Sequence, residues 1–131
     1  MATAGGLADL GVPPEVAKRT GWSIVNVTTT AATQNSAGGL LNGEGNKLVI
    51  ATLGGSNGAV TLPSAAQPGD IVVVVNTDAS NAGLVFPATG GTLQSGTANQ
   101  SASVAAKAVA ICIKATATNW KIIMGAAVTP S

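Results

Sequence analysis

Asp9, Glu15, Glu44, Asp70 and Asp78 are the only carboxylates in a chain of 131 residues that has no histidine, no tyrosine and a single cysteine, Cys112. That inventory removes the histidine-based triad and the histidine metal site. One cysteine makes neither an internal disulfide nor a thiolate cage. Inside Val109-Ala110-Ile111-Cys112-Ile113 it reads as a small buried hydrophobe. Two carboxylates meeting across the fold could run a glycosidase, yet all five fall in an arm, a turn or a loop. Asp70 follows Pro68-Gly69 and reads as a turn residue, and Asp78 as the cap of the loop Asn76–Asn81. Gly43-Glu44-Gly45-Asn46-Lys47 has the glycines and lysine of a phosphate loop. It lacks the G-x-x-x-x-G-K-[ST] spacing and a following helix, so it reads as a glycine-rich hairpin. Trp120 has two readings, a platform for stacking a sugar or a core or interface residue, and the second is preferred. Asn26-Val27-Thr28 and Asn99-Gln100-Ser101 fit the glycosylation acceptor pattern, but no secretion signal gives them weight. The chain is read as a non-enzyme, with no catalytic residue, no metal ligand and no cofactor.

The surface such a chain presents is also unusual. Charged residues make up 8% of it, where about 25% is typical, and Ala, Gly, Thr, Ser and Asn take their place. Six cations against five acids leave a net charge of +1, too little to build the clustered basic footprint of a nucleic-acid binder. No run approaches the length of a membrane span, and the opening "MATAGGLADLG" lacks the basic and apolar regions of a signal peptide. These features predict a protein made in a cytoplasm, with no nucleic-acid and no membrane partner. A hydrogen-bonding but uncharged surface suits burial between subunits.

The elements divide into two zones. Residues 1–22 read as an arm with one short helix: Pro13 and Pro14 at its start, Glu15 in the first turn, Lys18 and Arg19 in the last, Gly21 beyond. So short a helix is not stable alone, so it must dock, through Leu10, Val12, Pro13, Pro14, Val16 and Trp22. Residues 23–131 read as a β-domain. Strands are predicted at 24–30, 47–53, 71–75, 83–86, 91–94, 102–105, 107–116 and 119–124 from β-branched runs between turn signals. Asn57-Gly58 between two apolar runs predicts a hairpin, and Pro68-Gly69 a type II turn. In Ile71-Val72-Val73-Val74-Val75 both faces of a strand are apolar, so each must be covered. A second sheet would cover one, and the rest of a barrel or, preferably, another copy of the chain the other. The fold class is all-β, an antiparallel β-sandwich or barrel-like domain with a short N-terminal helical arm, homotrimeric.

The order of motifs resembles structural proteins of tailed bacteriophages. "VTLP" at Val60–Pro63 is followed by "PGD" at Pro68–Asp70 and an apolar strand closing on Asn76. "FPATGG" at Phe86–Gly91, a Ser/Asn/Ala-rich stretch at Thr97–Ser103 and "NWK" at Asn119–Lys121 complete the pattern. The arm, with Leu10-Gly11-Val12-Pro13-Pro14-Glu15-Val16-Ala17, is similar to the start of small phage head proteins. The resemblance implies a virion protein of the capsid decoration (cement) or head-fibre type, often trimeric, whose partners are the major capsid protein and itself. Its place would be the capsid surface. A tail-fibre or receptor-binding, carbohydrate-binding module of the virion is the alternative.

Overall fold

Alternation along each strand decides what the fold buries. In Ile71–Asn76 the residues Val72, Val74 and Asn76 point inward and are fully buried, while Ile71, Val73 and Val75 point the other way and are half-buried. Withdrawing each inner valine from water contributes about 1.5–3 kcal/mol. The same period of two runs through the other strands. In this computed structural model the described residues are 22–55, 57–94 and 96–125. They form nine strands: β1 Trp22–Thr29, β2 Asn46–Leu53, β3 Ala59–Thr61, β4 Ile71–Asn76, β5 Gly83–Phe86, β6 Thr92–Leu93, β7 Ala102–Val104, β8 Val109–Lys114 and β9 Asn119–Met124. The described residues are all-β, with no helix among them. The helix expected in the arm lies outside them, as do Leu10, Val12, Pro13, Pro14 and Val16. Trp22, placed last in the arm by sequence, is instead the first residue of β1.

Two sheets result, one in the order β1-β2-β4-β8-β9-β6 and one in the order β3-β5-β7. The expectation of antiparallel sheets is corrected, since both are mixed. β1 with β2, β2 with β4, β3 with β5, and β6 with β9 run parallel, and β4–β8, β5–β7 and β8–β9 run antiparallel. The cause is the route of the chain. After β2 it crosses to the small sheet for β3, returns for β4 and crosses again for β5, so strands that meet in one sheet arrive in the same direction. Leu40, between β1 and β2, already makes a parallel bridge to Thr61 at the edge of the small sheet.

The turns enforce this route. Asn57-Gly58 is not a hairpin, because β2 and β3 lie in different sheets. Gly55 and Asn57 take φ of 65° and 64°, Gly58 N donates to Gly54 O at 3.2 Å, and the link delivers the chain to the other sheet. The segment 43–47 is not a hairpin either. It leads from the Leu40 bridge into β2, which is parallel to β1. Pro68-Gly69 does what its sequence predicts: Gly69 has φ 97° and Asp70 N closes the turn onto Gln67 O at 2.9 Å.

Inner faces of both sheets feed one core, which includes Val49, Leu53, Val60, Val72, Val74, Val85, Val104, Cys112 and Trp120. Its polar members are satisfied. The Asn76 amide Nδ2 donates to Asn81 O at 3.0 Å, Val104 O at 3.3 Å and Ala105 O at 3.3 Å. Its Oδ1 accepts from Asp78 N at 3.1 Å. One side chain thus ties the end of β4 to the end of β7 in the other sheet.

Candidate functional site

The inside of β8 carries Ala110 and Cys112, while its larger aliphatics Val109, Ile111 and Ile113 sit on the opposite, half-exposed face. An ordinary half-buried strand does the reverse, with bulk inward and polarity outward. The registers continue the outer aliphatic face of β8 across the sheet. Ile24 of β1 pairs with Leu48 of β2, Leu48 with Val73 of β4, Val73 with Ile111 of β8, and Ile111 with Ile123 of β9. Partners in register share a face, so five aliphatic side chains form one unbroken row over five strands. Ile50, Val75 and Val109 form a second row on one side of it, and Ile71 and Ile113 flank it on the other.

Polar residues mark where the patch ends. Asn26 is level with Ile50, and Thr28 with Thr52, whose Oγ1 lies 3.0 Å from Thr77 Oγ1. Lys121, opposite Ile113, is the one charged residue these registers place on the face. Ile24 is 69% exposed and Ile123 57%, at the two ends of the central row, and Trp22 on the same face of β1 is 43% exposed. Sequence reasoning found that Ile71–Val75 needs cover on both faces. It did not find the row, because a row is made by register between strands distant in sequence.

Asp70 and Asp78 each hold backbone amides in place. Asp70 Oδ2 accepts from Gln67 N and Gly45 N, both at 2.8 Å, pinning the turn before β4 to the loop before β2. Asp78 Oδ1 accepts from Ser80 N at 2.9 Å and Asn81 N at 2.7 Å, and these amide bonds hold its carboxyl below the usual aspartate value. Asp70 and Asp78 flank opposite ends of β4, whose length alone is about 17 Å at the rise of a strand, beyond the roughly 5–9.5 Å that separates a glycosidase pair. Burial pushes the Cys112 thiol up to about 12, which suits a packed hydrophobe. Among the described residues no three of His, Cys, Asp and Glu gather as metal ligands. No helix among them is long and apolar enough to cross a membrane.

Trp120 is 1% exposed and cannot stack a sugar from solvent. Above its ring sits the Lys114 ammonium, 5.7 Å from the centroid, which donates to Ala66 O at 2.6 Å. A cavity of about 90 Å³ beside them is lined in part by Ser64, Thr89 and Thr118, and a neighbouring cleft of about 280 Å³ by Asn35, Leu40 and Leu62 among others. Neither lining contains a carboxylate.

No protein-family model, curated protein or solved structure matches the chain. The site is therefore read from its own geometry: a broad, nearly uncharged aliphatic surface on a six-stranded sheet. Such a surface does no bond chemistry. It binds by removing apolar area from water.

Proposed function

We propose that the protein is a structural component of a tailed-phage virion, a capsid decoration protein that assembles with copies of itself and bridges neighbouring capsid subunits. The observation that carries this reading is the aliphatic row Ile24–Leu48–Val73–Ile111–Ile123 with its flanking rows, a face built for assembly. The motif order from Val60 to Lys121 adds the virion context. In this reading the β-domain supplies stiff, buried contacts, and residues 1–22 attach it to the major capsid protein through Leu10, Val12, Pro13, Pro14, Val16 and Trp22. Trp22 joins the segment to the described domain at the edge strand β1. The protein is made in the host cytoplasm and ends on the outer surface of the head.

Quantitative mass spectrometry of purified virions tests the proposal. Copy number should be comparable to that of the major capsid protein, and electron microscopy of particles with and without the protein should show the difference as density on the shell. A handful of copies per particle, or density confined to the tail, would overturn it in favour of a fibre role.

A further inference from the structure

We infer that the aliphatic outer face of the six-stranded sheet is covered by the same face of another copy of this chain. The inference rests on the reading of the protein as an assembled structural component, and it names the partner of that surface.

Area is the first argument. Strands about 4.8 Å apart put Ile24 and Ile123, four intervals from each other, about 19 Å apart, and Ile71 to Val75 runs about 13 Å along the strand. With the breadth of the side chains added, the patch covers roughly 500 Å² per copy. That lies near the top of what monomers leave in water, about 300–600 Å². Two copies face to face would bury about 1,000 Å², the level at which specific interfaces begin.

Chemistry is the second. Lys121 brings one charge to the edge of this face, and the registers place no acid on it. A basic partner would meet nothing to pair with and an acidic one only Lys121 at the edge, and either would lose its own hydration. What fits is a surface equally aliphatic, flat and uncharged. Among the described residues this face itself has those properties, and symmetric copies present it to one another with no further design. β-branched side chains on facing sheets interdigitate at about 10 Å, as in the core of a sandwich.

Distribution of bulk is the third. β8 places Ala110 and Cys112 inside and Val109, Ile111 and Ile113 outside. Large aliphatics on the outer side gain stability only when that side is also buried, and two copies bury it on both chains at once.

The full-length protein is tested by sedimentation velocity across a concentration series, beside two variants. Ile24→Lys with Ile123→Lys changes the most exposed ends of the row, where a single copy has little packing to lose. Val73→Asp puts a charge at its centre. Circular dichroism establishes that each variant is folded. The wild type should sediment as an oligomer at micromolar concentration, Val73→Asp at the centre of the row should raise the dissociation constant at least ~100-fold, and the double variant at its ends should raise it at least ~10-fold. A monomeric wild type overturns the inference, and so does an oligomer that the folded double variant leaves intact. Removal of residues 1–21 gives a further check: if the wild type is monomeric and the shortened chain associates, the arm is the occupant. A monomer that still decorates virions would sink the self-contact and keep the virion role. A face-dependent oligomer absent from virions would do the opposite.

Discussion

At the scale of single residues, Asn76 and Asp70 tie separate segments of the chain together and Asp78 closes its own loop. Asn76 is the clearest, because its one amide meets three carbonyl oxygens across the two sheets. Asn76→Ala takes this donor away from the buried Val104 and the partly buried Asn81, while Ala105 O keeps its bond from Ala108 N, and should lower urea stability by about 1–3 kcal/mol. Asn76→Asp keeps the size but turns an acceptor toward three acceptors, and should cost more than the alanine. An alanine that unfolds at the wild-type urea midpoint would show that the tie is decorative. Cys112 gives a second test. Its thiol ordinarily ionises near 9 and is pushed to about 12 by burial. The folded pKa is the higher one, so this stabilisation is complete below about 9 and is lost as pH rises toward 12. Native protein should resist iodoacetamide at pH 8 and react once unfolded. The loss of stability on the alkaline side should be smaller in Cys112→Ala than in the wild type.

At the scale of elements, the contrast between turns that matched their sequence signal and turns that did not shows what a sequence can carry. β5 and β9 begin and end where β-branched runs between turn residues place them, at Gly83–Phe86 and Asn119–Met124. Turn chemistry at Gln67–Asp70 was equally legible, since it depends on neighbours in the chain. Pairing was not. Parallel register between β2 and β4 arises because a strand only three residues long, β3, intervenes in the other sheet, and between β1 and β2 the chain likewise visits that sheet at the Leu40 bridge. Nothing local to Asn57-Gly58 distinguishes a crossing from a hairpin. The row on the outer face was hidden for the same reason, although half of its logic, the doubly apolar β4, was readable. Gly58 shows what the crossing demands: an added Cβ would overlap the Thr29 carbonyl oxygen and lie 3.1 Å from the Leu53 backbone. Gly69, by contrast, has open space around it and only an unfavourable φ of 97°. Gly58→Ala should therefore cost about 2–4 kcal/mol through displaced backbone, and Gly69→Ala about 1–2 kcal/mol through conformation alone. Urea midpoints in the reverse order would mean that β1 and the crossing are looser than the packing implies.

At the scale of the whole molecule, the scarcity of charge and the aliphatic face together fix how association responds to solvent. The chain carries 11 charged side chains of nearly balanced sign, and the registers place only Lys121 on the outer face. Contacts between exposed charges weaken as the Debye length shrinks from about 10 Å at 0.1 M salt to about 3 Å at 1 M. Burial of aliphatic side chains is not screened, and strongly hydrated anions such as sulfate enhance it by staying off the protein surface. Raising NaCl from about 0.1 M to about 1 M should therefore leave the oligomer, and occupancy on purified virions, close to unchanged, while ammonium sulfate should tighten both. Mild guanidinium should act in the opposite direction, because it solvates apolar and peptide groups. Sedimentation of the protein and of decorated particles in each salt measures the two responses separately. Release of the protein from particles by 1 M NaCl, with the oligomer still intact, would place charge in the contact with the shell and leave the aliphatic face to the contact between copies. Dissociation of the oligomer by the same salt would be incompatible with the row Ile24–Leu48–Val73–Ile111–Ile123 as the surface that holds copies together.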